Sequence, residues 1–96
     1  MSVEDGRPRL LFFFSPTDGQ ARRVDGFLAL ILQRRRNHET FAVHRINVRE
    51  RPELVKRFQI SDQPTVLVVD GKRVAARLVA PRSAAEIQQL LSPWLR

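Results

Sequence analysis

Few side chains in this 96-residue chain have the type and spacing to do chemistry. There is no cysteine, which removes the thiolate nucleophile, the disulfide and the thiolate metal site together. His38 and His44 stand apart, with no carboxylate at ligand spacing, and zinc needs three or four converging ligands. They read as a loop and a strand-surface residue, so the sequence calls for no metal. Ser15 lacks the His and Asp partners that would activate a hydroxyl. No glycine-rich phosphate loop is present, and no cofactor is called for. What remains is Thr17-Asp18-Gly19 ahead of a helical stretch, followed by the paired cations Arg22 and Arg23. A Thr or Asp there is a natural N-cap, because its oxygen accepts from an otherwise unpaired first-turn N–H. Two cations in a first turn oppose the helix dipole, and Arg22 sits at the spacing that pairs with Asp18. An acidic peptide or a phosphate is the anion that Thr17, Arg22 and Arg23 would contact.

Charge sets the second constraint. Seventeen Lys and Arg against ten Asp and Glu leave +7. The cations are spread over every segment, with the densest run at Arg34-Arg35-Arg36, which reads as a solvated helix end. Such a balance favours nonspecific attraction to polyanions, but no recognised nucleic-acid motif accompanies it. The longest apolar run, Phe27 to Leu32, is far short of a membrane span of ~18 residues. Met1 to Arg9 carries Glu4 and Asp5 and no apolar core, so no secretory signal is read there. With no cysteine staples in so small a domain, a cytoplasmic location is expected.

The elements that must hold these residues follow from periodicity. Residues 1–8 are polar and expected to be a flexible lead-in, with one domain over 9–96. Leu10-Leu11-Phe12-Phe13-Phe14 is a short continuous apolar run, predicting a strand buried on both faces. Val24, Phe27, Leu28, Ile31 and Leu32 recur at helical spacing, with Arg34 to Arg36 expected in the last turn and Asn37-His38 ending it. Phe41 to Val48 gives an imperfect strand. Pro52 opens a short helix with Leu54, Val55 and Phe58 on its apolar face. Thr65 to Val69 is a buried strand, Asp70-Gly71 a hairpin turn, and Val74 to Val79 the returning edge strand. Ser83-Ala84-Ala85-Glu86 is a capping box that starts a helix, Pro93 stops it, and Trp94 and Leu95 fold back onto the core. The order is β-α-β-α-β-β-α. A right-handed crossover makes the first two strands parallel, and the hairpin makes the last two antiparallel.

This order, with Pro64-Thr65 opening the third strand, resembles the thioredoxin family. The stretch Phe12 to Arg22 resembles the family's apolar strand, short loop, Cys-Gly-Pro-Cys and basic residue. Arg45-Ile46-Asn47-Val48 followed by Pro52 resembles its second strand and the turn after it. Ile60 to Thr65 resembles the segment that carries the family's cis-proline, and Val69 to Val74 its hairpin. The resemblance runs over about residues 9–95 and implies a minimal thioredoxin-like α/β fold, a four-stranded mixed sheet in order 2-1-3-4 with helices on both faces. In this alignment the two active-site cysteines fall on Asp18 and Ala21, Gly19 stays, and Gln20 replaces the proline. The family's buried aspartate falls on Phe12. Both sulfurs and the proton partner are gone together, which is the loss of a chemistry rather than its tuning.

The leading expectation is therefore a redox-inactive, non-catalytic module that binds a protein or extended peptide at Thr17, Asp18, Gln63, Pro64 and Thr65. Gln63 would offer its backbone for strand-like pairing, as the resemblance implies, and Pro64 would set its geometry. The alternatives are a basic nucleic-acid or anion binder, and an oxidoreductase family member whose cysteines have been lost or replaced in this chain.

Overall fold

A computed structural model describes residues 6–95; the expected flexibility of the first five residues lies outside the described residues. The sheet has the order β2-β1-β3-β4, with β1 (Arg9–Phe14) at its centre. β1 runs parallel to β2 (Ala42–Asn47) and antiparallel to β3 (Thr65–Asp70). β4 (Arg73–Val79) completes the sheet against β3. Helices α1 (Gly19–Gln33) and α3 (Ala84–Leu91) cover one face, and the short α2 (Pro52–Arg57) lies against the other.

The unbroken apolar run of β1 is explained by its central place. Leu10 and Phe12 point into the core beneath α1 and α3, while Leu11 and Phe13 point into a second core beneath α2. Phe12 and Phe13 are almost wholly buried, so truncating either to Ala would cost about 3–5 kcal/mol. Val66 and Val68 of β3 join the first core, and Leu67 and Val69 the second. β2 shows why its pattern reads as imperfect. Phe41 and Val43 pack toward α1 and α3, whereas Ile46 and Val48 pack toward α2. The apolar parity changes partway along because Arg45, on the α1 side, turns outward to Asp25 of α1.

The capping chemistry follows the sequence closely. Pro52 occupies the first turn of α2. Ser83 and Glu86 form a reciprocal box at α3: Glu86 N–H donates to Ser83 Oγ at 3.3 Å, and Ser83 N–H donates to Glu86 Oε2 at 3.0 Å. Beyond Pro93, Trp94 meets Phe41 edge-on with ring centroids 6.5 Å apart. Among the described residues no helix is long and apolar enough to cross a membrane.

Two local expectations are corrected. The run Arg34 to Arg36 is not the last turn of α1, which ends at Gln33. Arg34 is extended, and Arg35 and Arg36 take left-handed backbone angles (φ 51° and 57°). The cause is Asn37, which is buried and donates from Nδ2 to the Arg34 carbonyl at 2.7 Å, redirecting the chain before the helix can continue. The hairpin turn falls one residue later than Asp70-Gly71: Asp70 still pairs with Arg73, and Gly71 (φ 66°) and Lys72 make the turn. In the lead-in, the Pro8 carbonyl accepts from Ala42 N–H, and Arg7 Nη1 donates to the Phe41 carbonyl.

Candidate functional site

The site is built where β1 ends. Phe14 is the last residue of the strand, Pro16 and Thr17 turn the chain, and α1 starts at Gly19. Asp18 N–H donates to the Ser15 carbonyl at 3.1 Å, which fixes the turn. Asp18 is the N-cap: its backbone is extended, and its Oδ1 accepts from the Gln20 N–H at 2.9 Å. Of the two capping residues the sequence offered, Asp18 fills the role and Thr17 does not. Thr17 instead lies in the loop, its hydroxyl 3.2 Å from that of Ser15 and accepting from Arg49 Nη2 at 3.4 Å.

Asp18 and Ala21, on which the resemblance places the family's cysteines, lie on the rim and wall of a cavity of about 480 Å³. Phe12 and Phe14 form its apolar side, and Thr17, Arg22, Asp25 and Arg45 its polar side. Phe12 is therefore an apolar floor at the position the family gives to its buried carboxylate. The pairing expected between Asp18 and Arg22 is absent; among the described residues they make no ion pair. Asp18 is committed to the helix N–H, and Arg22 and Arg23 extend outward around a shallow hollow beside it. The ion pair that does form here is one the sequence did not disclose. Arg45 Nε donates to Asp25 Oδ1 at 2.5 Å, with both side chains about half exposed. Arg45 interrupts an apolar strand, and Asp25 follows Ala21 by one helical turn, but their meeting across twenty residues is a product of the fold.

The second half of the expected site comes from the loop before β3. The Gln63–Pro64 peptide bond is cis. Thr65 pairs with Phe13, so Pro64 falls level with Phe14, at the same end of the sheet as the Ser15–Asp18 loop. Thr65 is buried, and its hydroxyl donates to the Asp62 carbonyl at 2.6 Å, so that side chain is spent internally. The Pro64 carbonyl accepts from Ala80 N–H at 2.7 Å. The Gln63 backbone, by contrast, is in no hydrogen bond among the described residues, and Gln63 is only half-buried. Thr17, Asp18 and Arg22 thus line one cavity, while Gln63, Pro64 and Thr65 adjoin the same end of the sheet without lining it. Among the described residues no group of three His, Asp or Glu converges as a metal site would require. His38 and His44 are exposed and lie on different elements.

A helix start beside a cis-proline at the end of a central strand, on a sheet of order 2-1-3-4, defines a thioredoxin-fold domain. The family model for thioredoxin matches residues 2–93, and the chain belongs to that family. Among solved structures it is similar to the germline-specific thioredoxin Deadhead of Drosophila melanogaster, with a TM-score of 0.82 at 17% identity over 95% of this chain and 84% of that one. It is also similar to Trxlp from Edwardsiella tarda, with a TM-score of 0.81 at 15% identity over 96% of this chain and 85% of that one. Mitochondrial thioredoxin 3 of Saccharomyces cerevisiae gives 0.78 at 12% identity over 93% of this chain and 80% of that one. At such identities the likeness is one of fold. No curated protein sequence matches this chain significantly. Without a cysteine, this chain cannot carry out thiol–disulfide exchange itself.

Proposed function

We propose that this chain is a non-catalytic binding module, which holds an extended polypeptide at the corner formed by Ser15–Gln20 and Ser61–Thr65. The observation that supports this reading is the backbone of Gln63, a half-buried residue whose N–H and C=O have no partner among the described residues. Backbone polar groups out of the solvent are nearly always paired, with protein or with water. An extended chain that adds beside the segment leading into β3 is the partner that would pair with such a backbone. Asp18 serves the site through α1, by fixing where the helix begins, and its second oxygen remains available to a partner N–H. Thr17 offers a hydroxyl at the cavity mouth. Arg22 and Arg23 add attraction for acidic side chains, tempered by the carboxylate of Asp18 beside them.

The test is hydrogen exchange at the Gln63 amide. Peptides selected by display on the purified chain would be titrated while amide exchange is followed by NMR. The Gln63 amide should exchange rapidly in the free chain and become protected in the complex, and Thr17→Ala should weaken binding while Leu30→Ala does not. Selected peptides that leave the Gln63 amide unprotected would remove this reading.

A further inference from the structure

The sheet face opposite α1 and α3 is covered by a single helix of six residues. Beyond it a groove of about 730 Å³ runs between α2, the edge strand β2 and the β3–β4 turn. Leu11, Ile46 and Val69 form its floor, and Arg57 and Lys72 stand on different walls, one on α2 and one in the turn. Arg9, Arg45 and Arg51 also line it, and not one Asp or Glu is among its fourteen lining residues, in a chain that has ten of them. Arg45 and Arg51 are balanced from outside the groove, by Asp25 and Glu53. Arg57 and Lys72 are in no ion pair among the described residues. The result is a concave, aliphatic-floored surface whose uncompensated charge is of one sign.

We propose that this groove docks an acidic segment of another protein, one in which carboxylates alternate with aliphatic side chains. Charge complementarity selects the carboxylates, which steer and orient a partner onto a basic rim. The aliphatic floor selects the residues between them. A single-stranded nucleic acid matches less well, since it needs ring faces on which bases stack. Phe58 is the groove's only phenyl ring, and it is taken: it packs on Phe13 with centroids 5.9 Å apart and lies beneath the Arg57 guanidinium at 5.6 Å. That leaves bases one imidazole, His44. The groove shares only Arg45 with the Asp18 cavity, so this inference stands independently of the corner beside Gln63.

Fluorescence anisotropy with a short labelled peptide of alternating Glu and Leu tests it, beside a Lys-Leu peptide and a labelled oligouridylate. The acidic peptide should bind at low ionic strength and weaken as salt rises, and the Lys-Leu peptide should not bind. Arg57→Glu with Lys72→Glu should lower the affinity by about tenfold, through two exposed attractions turned repulsive. Arg34→Glu with Arg36→Glu, the same change in net charge elsewhere, should leave the affinity within about twofold. In the unmodified chain, peptide should shift the amide resonances of Leu54 and Gly71 and leave that of Gln63 in place, a readout that needs no variant to fold. Absence of binding at low salt, or equal losses in the two double variants, would overturn the proposal. So would tighter binding of the oligouridylate with the same dependence on Arg57 and Lys72, which would reassign the groove to nucleic acid.

Discussion

Replacing Asp18 separates its structural work from any work it does for a partner. Asp18→Ala removes the acceptor for the Gln20 N–H, a bond of 2.9 Å, and N-cap losses of this kind cost about 1 kcal/mol. It also removes the anion nearest the positive end of α1. The first turn of α1 contains no acidic residue of its own, so nothing compensates, and the dipole contribution adds about 0.5 kcal/mol. The sum, about 1.5 kcal/mol, should lower the melting temperature of so small a domain by roughly 6–12 °C. Asp18→Asn keeps a capping oxygen and loses only the charge, so it should cost about 0.5 kcal/mol. Urea denaturation at neutral pH resolves the two, because 1.5 kcal/mol moves the midpoint by about 0.5–1.5 M at the slopes usual for small proteins. The order native, Asn, Ala, with unchanged slopes, is the expected result. An Ala variant within about 0.3 kcal/mol of the native chain would refute the capping argument. An Asn variant as unstable as the Ala variant would refute the division between geometry and charge.

The same position offers a test of what the helix start can still do to sulfur. In Asp18→Cys the thiol stands at a helix N-terminus, with Arg22 and Arg23 nearby, so its alkylation rate against pH should report a pKa below the ordinary ~8.5; a value at or above it would show that the corner no longer stabilises a thiolate. At α2, Arg51 Nε donates to Glu53 Oε2 at 2.6 Å, and this bond holds the Glu53 carboxyl below the usual carboxylate range. A depressed native pKa stabilises the fold above the unfolded-state pKa, and that contribution is lost as pH falls through the native one. An NMR titration of Glu53 should therefore show a midpoint below that of a free glutamate, rising toward it in Arg51→Ala; an unmoved midpoint would refute the pairing.

The fold was legible wherever a local rule coincides with a tertiary one. The Leu10–Phe14 run reads as doubly buried because a central strand is doubly buried, and Ser83 with Glu86 reads as a cap because capping is settled within one turn. The end of α1 was not legible. Charge preference at a helix terminus placed Arg34 to Arg36 inside it, but a buried Asn37 bonded to Arg34 outweighs that preference by satisfying a terminal carbonyl directly. Half of the candidate site was readable in the same way. Asp18 and Pro64 belong to segments with their own signatures, whereas Arg45 and Arg49 reach the cavity or its mouth, and Arg45 meets Asp25 of α1, only because β2 is laid beside β1. The interior fate of the Thr65 hydroxyl is likewise a matter of where the Asp62 carbonyl points.

Charge is what distinguishes the two surfaces of this domain. At the corner it is partly settled within the chain: Asp18 meets the helix dipole and Arg45 meets Asp25, while Arg22 and Arg23 extend outward. What the corner still lacks is a backbone partner for Gln63, a demand that a neutral extended strand could meet. On the α2 face the floor strands β1 and β3 are paired with each other, while the cations of α2 and the turn have no carboxylate among the groove's lining. A partner that satisfies one surface would not satisfy the other. The absence of sulfur removes one reaction, and the two proposed sites differ in the physics by which each would hold a polypeptide, one by hydrogen bonds and one by charge. Salt is the variable that separates them. Binding at Gln63 should weaken only slightly with ionic strength, because its backbone bonds are neutral and Arg22 and Arg23 add only an exposed, screened attraction, whereas binding across Arg57 and Lys72 should fade as the screening length falls from about 10 Å at 0.1 M toward about 3 Å at 1 M.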